Sequence, residues 1–274
     1  MKTRVISGIA IAVLLAAIIL PGGYILGAAL LVISFIGFFE LVRATGVHTE
    51  GKKANVLEIC GYISILVHYV QMIIFKDYRY YIFSLMFAFF LIMVCYVLRF
   101  PGFKSSQAIA CFFSFIYAPV NISFVYLLRE RPLGIYFAWI PFTAWVCDTC
   151  AYFVGRAIGK HKLVPVLSPK KTVEGAIGGV IGAVAVGAVF GYILYKNVTG
   201  EIGTIWVLML ITFAGSIISQ IGDLLASGIK RDHDIKDYGH VIPGHGGIMD
   251  RFDSVIFVTP CIYFLAAVLV PRMM

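Results

Sequence analysis

The chain has 274 residues, of which 61% are hydrophobic and 13% are charged, and its formal net charge is +8. Soluble domains contain about 25% charged residues, so this composition excludes an ordinary soluble protein. Apolar stretches of about 17 to 25 residues recur along the chain, each long enough to cross the roughly 30 Å hydrocarbon layer of a bilayer. The composition therefore predicts an integral membrane protein.

The apolar stretches predict an all-α protein with about nine transmembrane helices. Only helices and closed barrels satisfy backbone polar groups in lipid, and these runs are continuous rather than alternating, which favours helices. The predicted spans are 4–20, 24–42, 56–75, 80–98, 107–128, 136–155, 173–195, 205–227 and 253–270. The first resembles a signal peptide, but no small-x-small cleavage motif precedes the second span. We therefore expect a retained helix.

The distribution of Lys and Arg predicts the orientation. With nine spans, the loops on the side of the N-terminus contain 16 Lys and Arg residues and those on the other side contain 6. The positive-inside rule then predicts a cytoplasmic N-terminus and a C-terminus outside the cell. The charged segments 156–172 and 228–252 would both face the cytoplasm. This asymmetry accounts for most of the net charge and suits an anionic lipid surface, so no nucleic-acid partner is expected.

Two features of the later spans indicate packing. Cys147 and Cys150 form a lone C-x-x-C motif with no second pair and no nearby His, which is typical of small packing residues. The seventh span carries small residues every four positions: Gly175, Gly179, Ala183, Gly187 and Gly191. Such a ladder lets another helix approach to backbone contact, either inside one chain or across a homodimer.

Polar stripes follow the sixth and eighth spans. The eighth carries, at helical spacing, Ser216, Ser219, Gln220, Asp223 and Ser227. Ser and Gln often join helices, but an ionisable group inside a span is costly and usually functional. Asp223 is therefore predicted to lie in a functional site. The sixth span carries Asp148, Tyr152, Arg156 and, if the helix persists, Lys160. A structural Asp148–Arg156 pair and contact with a substrate are equal alternatives there.

A further candidate precedes the seventh span, where "SPKKTVEG" contains Ser168, Lys170, Lys171 and Thr172. Hydroxyl groups and backbone amides at a helix N-terminus, next to two lysines, favour a bound phosphate. The alternative to phosphate binding is that the two lysines extend to the membrane surface and only anchor the segment there.

The most charged segment of the chain borders the last span. Ten charged residues lie between Asp223 and Asp253, beside a turn that contains Gly244, Gly246 and Gly247. Asp223 and Asp250 would repel each other without a cation between them, whereas Mg²⁺ commonly takes one or two carboxylates together with substrate phosphates. The cationic side chains nearby are Lys230, Arg231, Lys236, His245 and Arg251. The segment therefore predicts a metal and phosphate site at the membrane surface.

These residues also carry a family resemblance. "SGIKRDHDIKDYGHVIPGHGGIMDRFD", residues 227–253, resembles the signature of phosphatidate cytidylyltransferases, also called CDP-diacylglycerol synthases. Its fixed positions are filled by Ser227, Lys230, Arg231, Lys236, Asp237, His245, Gly246, Gly247, Asp250, Arg251 and Asp253. "DTCAYFVGRAIGKHKL" and "SPKKTVEG" resemble upstream blocks of the family. The detailed match covers about residues 148–253, and the first five spans match in hydrophobic character.

The resemblance implies a Mg²⁺-dependent reaction in which CTP and phosphatidic acid give CDP-diacylglycerol and pyrophosphate. It implies one polytopic domain in the bacterial inner membrane, with about 1–130 as scaffold and about 136–270 carrying a cytoplasmic active site. The expected catalytic residues are Asp223, Asp250, Lys230, Arg231, Lys236, His245 and Arg251, with Asp223 and Asp250 also as metal ligands. The expected substrate-binding residues are Ser168, Lys170, Lys171, Thr172, Ser227, Asp237, Gly246, Gly247, Asp253, Asp148, Tyr152 and Arg156. A second cation is compatible with the number of carboxylates.

Other classes fit less well. An intramembrane aspartyl protease would use two aspartates, here Asp148 and Asp223, but its Gly-x-Gly-Asp pattern is replaced by "QIGD". A cation transporter has no use for the basic loop, and the closely spaced aspartates of CDP-alcohol phosphotransferases are absent from the sequence. A CTP-dependent lipid kinase or an archaeal-type ether-lipid cytidylyltransferase is the nearest alternative.

Overall fold

The computed structural model describes residues 2–48, 53–75, 77, 79–242 and 246–270. The helices are α1 (Lys2–Ile19), α2 (Gly23–Ala44), α3 (Val56–Phe75), α4 (Arg79–Leu98), α5 (Ser105–Arg129), α6 (Gly134–Ile158), α7 (Val173–Thr199), α8 (Gly203–Asp232) and α9 (Met249–Leu269). Within the described residues, the eight helices α2 to α9 are long and apolar enough to cross a membrane. Helix α1 has 18 residues. The predicted helical membrane protein is confirmed, and the orientation of the termini stays a prediction.

Two of the long helices contain local irregularities with identifiable causes. Helix α5 widens into a π-helical turn at Ile116–Val120, which contains Pro119. Because proline has no amide hydrogen, it interrupts the regular ladder of hydrogen bonds. Helix α6 begins with a short helix and a 3-10 turn at Ile140–Phe142, and it is regular over Thr143–Ile158.

The chain forms two compact units. The first comprises Met1–Glu130 and Asp232–Phe252, and therefore α1 to α5 together with the segment that precedes α9. The second comprises Arg131–Arg231 and Asp253–Met274, and therefore α6, α7, α8 and the greater part of α9.

A buried polar cluster joins three helices of the first unit. The Nδ1 of His68 lies 2.8 Å from Ser84 Oγ, and its Nε2 lies 2.9 Å from Ser123 Oγ. The Ser123 hydroxyl also lies 2.9 Å from the hydroxyl of Tyr81. Because both ring nitrogens have partners, the imidazole can be buried in the core without an unsatisfied polar atom. The cluster ties α3 to α4 and α5.

The small residues of α7 pack inside the second unit. A Cβ added at Gly179 would lie 2.8 Å from the carbonyl oxygen of Cys147 on α6, and one added at Gly187 would overlap Thr212 on α8. At Gly191 the nearest atom is the Cα of Ile205, at 2.7 Å. The ladder thus faces α6 in its first half and α8 in its second. The packing interpretation is confirmed, and it holds within one chain.

The segment between α6 and α7 forms a hairpin that the sequence analysis did not predict. Strand β1 (Lys162–Val164) pairs antiparallel with β2 (Ser168–Thr172). Helix α6 ends at Ile158, and Gly159 caps it in an extended conformation. Lys160 therefore does not continue the polar stripe of α6, and Ser168 to Lys171 lie on a strand rather than in a helix N-terminus.

Candidate active site

A cavity of about 290 Å³ opens in the second unit. Its volume is close to the lower end of the range for small-molecule sites, about 300 to 1,000 Å³. The polar side chains that line it are Asp148, Tyr152, Arg156, Lys170, Lys171, Thr172, Gln220 and Asp223. They come from α6, the hairpin and α8, and Gly175 and Ala176 of α7 also line the cavity. Two separate stripes of the sequence thus meet at one surface.

The polar stripe on α8 contains serines that bond within the helix and two residues that line the cavity. Ser216 and Ser219 donate hydrogen bonds to carbonyl groups of their own helix, at 2.7 and 2.9 Å. Gln220 reaches across to α7, where its amide donates to the carbonyl oxygen of Ala176 at 3.2 Å. Gln220 and Asp223 line the cavity. The serines therefore bond within their own helix, and Gln220 has the helix-joining role that the sequence analysis considered as the alternative.

Asp223 forms an ion pair with Lys171 of β2 at the cavity wall. Their side chains are 27% and 26% exposed, respectively. Lys170 lines the same cavity and is more exposed. A carboxylate and an ammonium group that are both partly desolvated interact more strongly than a surface pair. The pair places the Lys171 ammonium group at the cavity wall, where a phosphate could compete with Asp223 for it.

Thr172 connects the hairpin to α7. Its hydroxyl oxygen accepts a hydrogen bond from the amide of Gly175 at 3.1 Å and caps the helix. Gly155 on α6 and Gly159 at its C-cap make room for this threonine, since a Cβ added at either position would lie 2.8 or 2.7 Å from its hydroxyl oxygen, respectively. The helix N-terminus that the sequence predicted is therefore present, and Thr172 occupies it as the cap.

Glu174 holds the other end of the hairpin, a role that the sequence analysis missed. Its carboxylate accepts the backbone amides of Lys160 and His161 at 3.1 and 3.2 Å, and it lies 2.6 Å from His161 Nδ1. These contacts fix the start of the strand pair that carries Lys171. The Glu at the third position after the second lysine was visible in "SPKKTVEG", but its partners were not.

The stripe on α6 does not form the Asp148–Arg156 pair, which was one of the two alternatives considered. The Arg156 guanidinium donates to the hydroxyl of Tyr152 at 3.3 Å. Asp148 accepts a hydrogen bond from the hydroxyl of Ser254 on α9 at 3.1 Å. Arg156 is thus directed along its own helix, towards the aromatic residue at the cavity wall.

A third carboxylate, besides Asp148 and Asp223, comes from α9. Asp253 is 7% exposed and accepts a hydrogen bond from the amide of Ser254 at 2.7 Å. It interacts electrostatically with Asp223, Lys230 and Asp148. Carboxylates that are crowded in this way repel each other unless a cation or a proton compensates. Among the described residues, no group of three potential ligands is arranged for a metal ion.

In the first unit, the glycine-rich segment before α9 is organised by two carboxylates. Asp250 accepts the amides of Tyr238 and Gly247 at 2.8 and 3.0 Å. Glu40 of α2 accepts the amides of Ile248 and Met249 at 3.0 and 2.8 Å. Glu40 was missed by the sequence analysis because it lies more than 200 positions from its partners. His245, together with Pro243 and Gly244, lies outside the described residues.

Comparison with known proteins connects this geometry to a family. Residues 2–269 match the family described as the cytidylyltransferase family. The chain belongs to this family. It is 36% identical over 272 residues to a phosphatidate cytidylyltransferase of Staphylococcus saprophyticus, covering 97% of this chain and 98% of the relative. It is 34% identical over 277 residues to that of Staphylococcus epidermidis, covering 97% and 98%.

Another relative, the phosphatidate cytidylyltransferase of Staphylococcus haemolyticus, is 42% identical over 177 residues, covering 64% of this chain and 65% of the relative. The resemblance seen in the sequence is thereby confirmed, as is the class of enzyme, a nucleotidyltransferase. The matches also extend through the first five spans, where the sequence had indicated only hydrophobic character.

The remaining predicted residues of the cytidylyltransferase lie on the following segments. Ser227 and Lys230 are half-buried on α8, and Arg231 is exposed near its end. Lys236 and Asp237 are exposed after α8, and Arg251 is half-buried in the first turn of α9. Gly246 adopts a positive φ of 84°. The roles assigned to these residues stay predictions.

Proposed function

We propose that this cytidylyltransferase converts CTP and phosphatidic acid to CDP-diacylglycerol and pyrophosphate, with Mg²⁺, at the cytoplasmic face of the cell membrane. The observation that carries the proposal is the Lys171–Asp223 ion pair at the wall of a cavity within membrane-spanning helices. A lysine that can bind a phosphate is paired there with a carboxylate that can bind a cation. The names of the relatives supply the substrates.

The reaction needs alignment more than it needs a base. A phosphate oxygen of the lipid attacks the α-phosphorus of CTP, a new P–O bond forms, and the bond between the α-phosphorus and the oxygen that bridges to the β-phosphorus breaks. Pyrophosphate leaves with that oxygen and its electron pair. Because the lipid phosphate is already an anion at neutral pH, catalysis consists mainly of positioning and charge neutralisation.

The cavity residues fit these tasks. Lys170, Lys171 and Arg156 supply positive charge around the lining, and Lys230, Arg231, Lys236, His245 and Arg251 would stabilise the triphosphate and the leaving group. In the free enzyme, Lys171 neutralises Asp223. When substrates bind, we expect Lys171 to pair with a phosphate oxygen and Asp223 to face a cation.

The donor set suits Mg²⁺, a hard cation that prefers oxygen ligands. Asp223 and Asp250 would hold it, and crowded carboxylates such as Asp253 leave negative charge for a second cation. When bound, Mg²⁺ would neutralise charge on the phosphates. Asp250 already accepts two backbone amides through one oxygen, which fixes the direction in which its carboxylate points.

The test uses the full chain purified in detergent, with phosphatidic acid in mixed micelles and CTP labelled at either the α- or the γ-phosphorus. Cytidylyl transfer places the α-label in chloroform-extractable lipid and releases the γ-label as pyrophosphate. A CTP-dependent lipid kinase would place the γ-label in lipid instead. Diacyl and dialkyl-ether phosphatidic acids, supplied in parallel, separate the bacterial reaction from its archaeal-type counterpart. Absence of both labels from lipid would refute the proposal.

A further inference from the structure

We propose that Glu40 is a positioning residue, which holds the segment bearing Asp250 in its working place. The proposal rests on the proposed function, in which Asp250 belongs to the reaction site. Glu40 lies near the end of α2 and is 3% exposed. Its Oε1 accepts the amide of Ile248 at 3.0 Å and its Oε2 accepts the amide of Met249 at 2.8 Å.

The Glu40 carboxylate and the backbone amides of Ile248 and Met249 each supply hydrogen-bond partners to the other. The first amides of a helix have no partner within the helix, and negative charge is favoured near a helix N-terminus. Ile248 and Met249 stand at the start of α9. A carboxylate buried without partners would be strongly disfavoured, but charge-assisted hydrogen bonds to these amides compensate for its lost hydration. Glu40 therefore attaches the beginning of α9 to α2.

Two glycines allow the backbone to close around this carboxylate. A Cβ added at Gly239 would lie 2.3 Å from Glu40 Oε1, and so would a Cβ added at Gly247. Neither distance is possible for a real side chain, so any larger residue would displace the carboxylate or the segment. Glycine at these two positions is thus explained by a partner within the protein itself.

Asp250 also binds backbone amides of the segment that precedes α9. Its Oδ2 accepts the amides of Tyr238 and Gly247. Glu40 and Asp250 together therefore hold four backbone amides between Tyr238 and Met249. Since Glu40 binds the first turn of α9, moving its carboxylate would also move Asp250. Because Glu40 already binds the amides of Ile248 and Met249, the proposed phosphate contacts would come from the cationic side chains.

The test compares Glu40→Gln with the original full-length protein in detergent. Glutamine keeps the shape of the side chain but turns an amide donor towards a backbone donor, so one hydrogen bond is lost. Amide hydrogen exchange at Ile248 and Met249 should become about 10-fold faster or more. The kcat for CDP-diacylglycerol synthesis should fall by about 10²-fold, as a misplacement near 1 Å can cause, while the KM for CTP changes little.

Glu58→Gln is the matched control. Glu58 is also a fully buried carboxylate of the first unit, and it accepts the amide of Asn55 at 3.1 Å and lies 2.8 Å from His48 Nδ1. Its replacement should lower the unfolding temperature. We expect it to leave kcat and the exchange of Ile248 and Met249 unchanged.

Gly239→Ala provides a test that does not depend on Glu40→Gln folding. The added methyl group would meet the Glu40 carboxylate, so the same faster exchange and lower kcat are expected. With Glu40→Ala as the starting protein, Gly239→Ala should cause little further loss because the obstructing oxygen is gone. Equal losses in both starting proteins would overturn the proposal.

The outcomes separate the possible roles. Normal exchange together with normal kcat in Glu40→Gln would overturn the proposal. A lower kcat with normal exchange would assign Glu40 to the reaction itself, and faster exchange with normal kcat would show that the placement of this segment does not matter for turnover. If the original protein forms no CDP-diacylglycerol, the proposed function fails, and the exchange data alone decide whether Glu40 holds the segment.

Discussion

Lys171 and Asp223 form the ion pair on which the proposed binding of anionic substrates depends. Each is about one-quarter exposed, and each neutralises the other at the cavity wall. A free lysine at this depth would lose hydration, and a free aspartate would repel Asp253, with which it interacts electrostatically. In the proposed reaction, a phosphate would replace Asp223 as the partner of Lys171, and a cation would replace Lys171 as the partner of Asp223.

The first residue-scale prediction concerns Asp223→Asn, which preserves the side-chain shape and removes one charge. Loss of a preorganised charge typically costs about 3 to 4 kcal/mol in the transition state, or 10² to 10³ in rate. We expect at least that loss of kcat at normal protein yield, with the Mg²⁺ requirement shifted to higher concentration, and the same for Asp250→Asn. The measurement is a Mg²⁺ titration of initial rates.

Asp232→Asn and Asp234→Asn serve as controls for that titration. Both aspartates are exposed, and Asp234 has a positive φ of 53°, which asparagine adopts readily. Rates close to the original are expected for both. Near-normal turnover of Asp223→Asn at ordinary Mg²⁺ would remove Asp223 from the metal site.

The second residue-scale prediction concerns the lysines of β2. Replacing Lys170 and Lys171 together by Ala should raise the KM for CTP or for phosphatidic acid by about 10- to 100-fold, because a hydrogen bond to a charged group contributes about 1.5 to 3 kcal/mol. Lys162→Ala, an exposed position on β1 of the same hairpin, should leave both KM values unchanged. Unaltered kinetics in the double variant would show that the two lysines only anchor the hairpin at the membrane surface.

Whole elements set where these side chains can reach. The hairpin is held between Thr172, which caps α7, and Glu174, which binds the amides that follow α6. Helices α6, α7 and α8 approach closely because α7 presents small residues to both neighbours. The spacing of the helices that form the cavity therefore depends on glycines, which have no side chain, as much as on the larger residues.

The element-scale prediction is that Gly187→Ala loosens the contact between α7 and α8. The added methyl group would overlap Thr212, and overpacking of this kind costs about 1 to 3 kcal/mol. We expect a lower unfolding temperature in detergent, measured by intrinsic fluorescence. Gly203→Ala, at the first position of α8 and with no atom within 4 Å of the added Cβ, should not lower it. An unchanged melting temperature for Gly187→Ala would contradict the packing described for this ladder.

At the scale of the whole molecule, the unequal distribution of Lys and Arg predicts how the chain crosses the bilayer. The hairpin segment should face the cytoplasm, and the turn between α7 and α8 should face outward. The proposed substrate CTP is a polyanion that does not cross membranes. The proposed function therefore also requires the hairpin, with Lys170 and Lys171, to lie on the side where CTP is found.

The whole-molecule prediction uses two exposed lysines, Lys162 on the hairpin and Lys196 near the C-terminal end of α7. In spheroplasts, a membrane-impermeant maleimide should label Lys196→Cys, and it should label Lys162→Cys only after permeabilisation. The original chain, whose six cysteines are buried or half-buried, measures the background. The reverse pattern would invert the topology.

The nine helices of the described residues and the family could be predicted from the sequence, because the signals are local. The functional role of Asp223 stays a prediction. Hydrocarbon thickness sets the length of each apolar run. A charged residue within such a run is recognisable in the sequence, whatever its partner in the fold. Only the tertiary structure showed that Lys171 pairs with Asp223, that the Ser168–Thr172 segment is a strand, and that α7 packs against both α6 and α8. The role of Glu40 was equally hidden, since its hydrogen-bond partner Ile248 is 208 positions away. A carboxylate in a helix looks the same in sequence whether it meets water, lipid or the end of another helix, and only the folded chain decides among them.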